Sequence, residues 1–281
     1  MAPQPGLSAD QLDAFERDGV LVLPDLYSTE QCRAIQDRMA KLLTEIDPGP
    51  AATVFSSRDQ THGQDHYFMT SGDKIRLFFE RDALGPDGTP TVPLERAINK
   101  VGHALHDLDP VFDQFSRAPA MAGVAGALGI VEPQLLQSMY LFKQPWIGAE
   151  VNWHTDHTFL WTEPQSVIGF WVALEQATEE NGCLWCLPGK HRLPVKSRFR
   201  RRGTGAELEV FDRQPYDSTG AIPLPAEVGT VVVLHGSLPH WSAPNTSNRS
   251  RHAYTLHVID GVADYPEDNW LQRPDLPLRG F

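Results

Sequence analysis

Residues His154-Thr155-Asp156 place an imidazole and a carboxylate two positions apart. A second imidazole, His240, stands far downstream, and an arginine, Arg251, lies eleven residues beyond it. Side chains two apart on an extended chain point to the same side, so His154 and Asp156 can address one ion where a strand runs into a turn. His240 can join them only if the fold lays a later strand alongside the first. Two imidazoles and one carboxylate on one face of an octahedron are the protein ligands of a mononuclear non-heme Fe(II) site, with the other positions open for a cosubstrate and O2. Arg251 adds a planar, permanently charged fork that fits a carboxylate. The set reads as iron plus 2-oxoglutarate.

His-x-Asp alone is a weak signal in a chain with 11 histidines; the surroundings of His240 carry more. It follows Gly229-Thr230-Val231-Val232-Val233-Leu234, which reads as a buried strand, and opens the string H-W-S-A-P-N-T-S-N-R-S-R ending at Arg251. H-x-S-x-x-N-x-S/T-x-x-x-R after a buried strand, with a remote H-x-D upstream, resembles the phytanoyl-CoA dioxygenase family of Fe(II)/2-oxoglutarate oxygenases. Glu180-Asn181-Gly182-Cys183-Leu184-Trp185-Cys186-Leu187-Pro188-Gly189-Lys190-His191 is similar to that family's N-G-x-L-x-x-x-P-G-S-H segment, with Lys190 where serine is more usual. Phe170-Trp171-Val172-Ala173-Leu174-Glu175 resembles the strand before it. Gln137 to Pro145 and Asp73-Lys74-Ile75-Arg76 also look like the family. The likeness runs from about Leu12 to Val258 and is nearest the stand-alone branch of phytanoyl-CoA dioxygenase domain-containing proteins.

The resemblance implies a mainly β fold with flanking helices, its core a double-stranded β-helix (jelly roll, cupin-like) packed with N-terminal helices. One domain would span 1–281, helical to about 130 and with the jelly-roll core over about 131–260. Implied metal ligands are His154, Asp156 and His240. Arg251 would hold the distal carboxylate of 2-oxoglutarate, and Ser242 would donate a hydroxyl to the same group. Met139 and Lys74 match positions that contact 2-oxoglutarate in relatives, and Trp171 is expected to line that pocket, with core packing as its alternative. The implied activity is Fe(II)- and 2-oxoglutarate-dependent dioxygenation, hydroxylating a small organic substrate with O2 and releasing succinate and CO2. Halogenases of this fold lack the carboxylate that Asp156 supplies. Two rival readings are a non-catalytic metal-binding jelly roll, which gives Arg251 no purpose, and a zinc hydrolase, which needs no oxo-acid site.

Several neighbours compete for these roles. His235 also follows the strand, but only His240 stands at the family's spacing to Arg251. Strand alternation after Asn248 would put Arg249 and Arg251 on one face, so periodicity does not separate them. His157 is expected to face away on an extended chain. His103 and His106, three apart on an expected helix, read as surface residues. Cys183-Leu184-Trp185-Cys186 reads as an apolar strand after an Asn-Gly turn, with no second pair to complete a tetrathiolate site.

A hydrophobic content of 41% supports a real core, which excludes a disordered chain, and a formal charge of −12 disfavours a phosphate backbone as partner. No stretch nears the roughly 20 apolar residues that span a bilayer. Met1 to Gly6 lacks a secretion signal, Arg279-Gly280-Phe281 is not a peroxisomal Ser-Lys-Leu tail, and three cysteines suit a reducing compartment. The expected location is cytoplasmic, with no membrane or nucleic-acid partner; the sequence does not specify an oligomeric state.

Along the chain, Ser8–Gly19 and Ser28–Leu43 read as capped helices around a short strand at Val20–Pro24, with Pro48-Gly49-Pro50 breaking the second. Residues 51–92 look irregular, with a strand near Lys74–Phe79. Leu94–Leu108 reads as a third helix and Pro110–Gly129 as a further helical stretch. Short strands are expected over Gln134–Lys143, Glu150–His154, Ser166–Leu174, Cys183–Leu187, Glu207–Phe211, Thr230–Leu234 and Ser250–Ile259. The basic island Arg198 to Gly203 reads as a solvated loop.

Overall fold

The computed structural model describes residues 6–46, 54, 61–86 and 88–281. The chain starts with α1 (Ala9–Asp18), β1 (Val20–Leu23) and α2 (Thr29–Glu45). Ser8 and Ser28 each accept a bond from the third helical N–H, and Gln11 and Gln31 each accept one from the cap's own N–H. These two reciprocal boxes set where the helices begin. Gly19 ends α1 in the left-handed region at φ 76°, as expected for a glycine stop. The break assigned to Pro48-Gly49-Pro50 lies outside the described residues.

The middle of the chain forms α3 (His66–Met69), β2 (Ile75–Phe79), α4 (Leu94–Ala97), β3 (Ile98–His103), α5 (Leu105–Leu108), α6 (Pro110–Ser116) and α7 (Pro119–Ala127). From there strands dominate: β4 (Pro133–Leu141), β5 (Val151–His154), the short α8 (Asp156–Phe159), β6 (Ile168–Ala173), β7 (Leu184–Cys186), β8 (Ser197–Arg202), β9 (Gly205–Val210), β10 (Ile222–Leu224), β11 (Val231–His235), β12 (His240–Ser242) and β13 (Ala253–Asp260). A seven-stranded sheet runs β1-β11-β6-β13-β4-β3-β2 and a four-stranded one β10-β7-β12-β5. Their ladders are antiparallel. The two sheets face each other as the jelly roll.

Alternation along the long strands sorts their side chains. Phe170 and Val172 of β6, and Tyr254, Leu256 and Val258 of β13, pack on Ile35 and Met39 of α2 and on Phe112, Met121 and Val124 of α6 and α7. Trp171, Ala173 and Ala253 turn the other way and meet Leu184, Cys186 and Leu224 of the small sheet. Burying each large apolar side chain contributes roughly 1.5–3 kcal/mol, so the large sheet is fixed from both faces.

Three expectations fail here. Leu94–Leu108 is not one helix: Ile98 to His103 form β3, paired to β2 and β4 with Val101 opposite Leu77 and Tyr140. Gly102 is a poor helix former and Ile98 and Val101 are β-branched, while the sheet offers a partner on both sides. His103 and His106 are accordingly not surface residues but fully buried. His103 Nδ1 lies 2.8 Å from Ser71 Oγ, and His106 Nδ1 lies 2.7 Å from Ser138 Oγ. Arg198 to Arg202 is not a loop but β8, laddered to β9. Its charges are met by Asp268, Glu207 and Glu209.

Asp107, with its side chain 1% exposed, ties the C-terminal segment to this scaffold. It takes Arg117 and Arg279 at 2.7 Å each, His106 at 3.1 Å, and Arg273. Burial alone would raise its carboxyl, but His106, Arg273 and Arg279 hold it well below the usual carboxylate range. A depressed carboxyl contributes stability above its unfolded value and loses it as pH falls. Asp107→Ala is expected to cost about 3–5 kcal/mol, because Arg273, though still bonded to the carbonyls of Leu135 and Leu136, is left buried without a counter-charge. Urea unfolding measures this, and acid titration of the wild type should remove the same contribution below about pH 4.

Candidate active site

His154 ends β5, and the chain turns through Thr155 into α8, which Asp156 opens. β12 pairs with β5 so that His240 sits directly opposite His154. A pair 86 positions apart in the numbering thereby becomes a cross-strand neighbour, with ring centroids 4.2 Å apart. One ligating atom from each of His154, Asp156 and His240 lies within 4.8 Å of the others. The imidazoles are oriented alike. His154 Nδ1 is 2.8 Å from the carbonyl of Asn152 and His240 Nδ1 is 3.0 Å from that of Leu238. A carbonyl can only accept, so each Nδ1 carries the proton and each Nε2 keeps its lone pair for an ion. Burial, then the neighbouring His240, pushes the His154 imidazole down to about 4, which keeps it in the neutral, ligating form at neutral pH.

Asp156 is fixed by two residues that the sequence reading did not single out. His257 of β13 sets its Nε2 3.3 Å from Asp156 Oδ1. Burial would raise the Asp156 carboxyl, but His257 and His240 hold it well below the ordinary carboxylate range. Behind it stands Gly169 of β6, where an added Cβ would come within 2.6 Å of Asp156 Oδ2. The carboxylate occupies the space that a side chain would fill. His157 follows on α8 rather than on extended chain and is buried, its Nε2 3.2 Å from the carbonyl of Thr162. His235 instead packs on His191 at 4.8 Å.

A cavity of about 150 Å3 opens beside the three ligands. Arg251, 2% exposed, lines it. Its Nε donates to the carbonyl of Gly182 at 3.1 Å, while Nη1 is buried with no partner among the described residues. Burial pushes the guanidinium down to about 10, still charged at neutral pH, and its Cζ sits 5.3 Å from the Trp171 ring centre. A buried cationic edge left unpaired is costly and fits an anion. Ser242, Trp171 and Met139 line the same cavity. Arg249 is exposed: β13 starts only at Ala253, so strand alternation does not govern the segment before it.

Lys74 is the exception, and the structure corrects its placement. Its ammonium lies 2.5 Å from Asp73 with the side chain 44% exposed, away from this cavity. Lys100 of β3 reaches the cavity instead. It was hidden because residues 94–108 read as a helix. Burial pushes its ammonium down to about 7. A second cavity of about 290 Å3 shares His154 and Asp156 with the first and is walled by Phe68, Trp153, Phe159 and Trp270.

Gly169→Ala and His257→Leu are each expected to weaken divalent-metal binding about 10- to 100-fold, the usual consequence of disturbing the support of a ligand. Competition with a metal-binding dye measures this; wild-type affinity in both variants would show that neither residue holds Asp156.

A family model described as phytanoyl-CoA dioxygenase matches residues 15–253. The chain is 41% identical to a phytanoyl-CoA dioxygenase of Arabidopsis thaliana, covering 96% of this chain and 95% of that one. It is 42% identical to phytanoyl-CoA dioxygenase domain-containing protein 1 of Mus musculus, over 97% of each. Among solved structures, EctD from S. alaskensis with bound Fe superposes with a TM-score of 0.66 at 21% identity, over 99% of this chain and 87% of that one. The α-ketoglutarate-dependent carbocyclase SnoK gives 0.64 at 18% identity, over 93% and 87%. These two share the fold. The position of His154, Asp156, His240 and Arg251 within a match of this length leads to one assignment: the chain belongs to the phytanoyl-CoA dioxygenase family.

Proposed function

We propose that the protein is an Fe(II)- and 2-oxoglutarate-dependent dioxygenase that hydroxylates a small organic molecule and releases succinate and CO2. The observation that carries this reading is the buried Arg251 Nη1, without a partner among the described residues, on a cavity that all three candidate ligand side chains also line. A metal store needs no such anion site, and neither does a zinc hydrolase. EctD has been solved with bound Fe, and also with 2-oxoglutarate and 5-hydroxyectoine, and that pairing of cofactors supports the same choice here.

Iron, when bound, supplies the O2 chemistry. The chain's own residues do the rest. His154 and His240 offer Nε2, and Asp156 offers one oxygen while His257 donates to its carboxylate. Arg251 receives the distal carboxylate of the oxo acid, Ser242 adds a hydroxyl donor, and Trp171 packs beside the guanidinium. Lys100, in place of Lys74, supplies the second cation, and Met139 closes the wall. The apolar lining of the larger cavity excludes water from the reacting carbon.

Anaerobic addition of Fe(II) and 2-oxoglutarate is expected to give a visible charge-transfer band, and aerobic incubation should give succinate. Absence of both would end this reading. Asp156→Ala should lose iron. Arg251→Ala should keep it but raise the 2-oxoglutarate requirement about 10- to 100-fold, since hydrogen bonds to charged groups are worth roughly 1.5–3 kcal/mol. A carboxylate pairs with the protonated form of Lys100, which is lost above about pH 7. Affinity for 2-oxoglutarate should therefore fall from pH 7 to 9 in the wild type, and Lys100→Met should flatten that slope.

A further inference from the structure

The larger cavity contains a polar group that no part of the proposed chemistry uses. Gln137 lies on β4 directly across from His257 on β13. It is only 5% exposed, lines the cavity, and has no hydrogen-bond partner among the described residues. Buried amides are almost always paired, because leaving one unmade is expensive. His257 is not its partner, being turned to Asp156. The amide is therefore open to the cavity, where a ligand can meet it.

The rest of the wall limits what that ligand can be. Phe68 is stacked on Trp270 with centroids 4.3 Å apart and planes 16° apart, and Phe159 and Trp153 line the same space. Such faces favour a flat, apolar body. Among the described residues Asp156 is the only acidic one on the wall, and it is a candidate metal ligand, so a cationic head would find no counter-charge there. The basic hairpin β8–β9 contributes Ser197 and Leu208 to the wall. Its arginines are already occupied: Arg198 and Arg200 by Asp268, Arg202 by Glu207, and Arg201 by the carbonyls of Met69 and Trp270. No free cation on that hairpin is available for a phosphate-bearing carrier, and the wall's one lysine, Lys100, also lines the smaller cavity, where the proposed chemistry assigns it to the oxo acid. The cavity, at about 290 Å3, is at the small end of ligand sites.

We propose, resting on the oxygenase reading, that this cavity is the substrate subsite and that Gln137 selects a small neutral molecule: a flat apolar body with an amide-like edge that both donates and accepts. The amide of Gln137 presents a donor and an acceptor in one plane, which a carboxamide or lactam matches with two parallel bonds. An alkyl group leaves both unmade. This pairing would set one end of the molecule while the aromatic faces hold its body beside His154 and Asp156.

The probes are benzamide, ethylbenzene and benzylammonium, of similar size and differing in the head. Binding is read anaerobically from the shift of the Fe(II)–2-oxoglutarate band, and separately from tryptophan fluorescence of the metal-free protein. Benzamide is expected to bind at least tenfold tighter than the other two. Gln137→Leu should remove that preference and favour ethylbenzene, with the charge-transfer band retained. Gln137→Asn, which keeps the amide on a shorter arm, should preserve the order with weaker binding. Equal affinity for benzamide in wild type and the leucine variant, a preference for benzylammonium, or no binding of any probe overturns the proposal. A wild-type protein that forms no charge-transfer band overturns the oxygenase reading instead, and the fluorescence order then decides this one on its own.

Discussion

β12 lies between β5 and β7 over only three residues, and the ladder that holds it there sets His240 opposite His154. A slip of one position would turn every side chain of β12 to the opposite face, taking the second imidazole out of reach. The same slip would carry Ser242 off the cavity that Arg251 lines, since His240 and Ser242 share a face. Register is protected on both sides, because Trp241 lies opposite Trp185 on β7 and its indole N–H donates to Glu150 at 2.7 Å. The convergence of the three candidate ligands and the polar lining of the smaller cavity therefore depend on one short antiparallel pairing.

The large sheet explains why a site can exist at all inside an apolar fold. Its helix-facing side is filled by Phe170, Tyr254, Leu256 and their neighbours. Its other side carries Lys100, Gln137, Thr255 and His257, all of them buried. That row of polar groups breaks the usual rule for interiors, and local rules tend to be broken where function is placed. Gly169 in the same row contributes by absence, leaving room for the Asp156 carboxylate.

Much of this was legible in the sequence. His154, Asp156 and His240 declared themselves by residue type and motif, and Arg251 by its distance from His240. The alternating strands from Pro133 onward declared themselves by branched and aromatic runs between turns. The misreadings share a physical cause. Residues 94–108 hold enough helix-compatible residues to suggest a continuous helix, and only the presence of β2 and β4 on either side makes Ile98–His103 a strand. That single error sent His103 and His106 to the surface and hid Lys100, leaving Lys74 as the apparent second cation. His257 and Gln137 gave no local signal, because their meaning arises from partners across the sheet. Arg198–Arg202 looked solvated because Asp268, which neutralises two of its charges, is remote in sequence.

The Asp107 cluster reaches further than its place in the fold suggests. Arg273 and Arg279, which it clamps, belong to the same closing segment as Trp270, and Trp270 forms part of the larger cavity. Docking of the tail and the shape of that cavity are thus one equilibrium. Whatever fills the space against Trp270 strengthens the hold of the tail, and a loosened tail weakens the hold on the occupant by the same factor, as reciprocity between coupled sites requires. Amide-exchange protection over residues 270–281 would then report how full the pocket is, from a part of the chain that supplies none of the three candidate ligands.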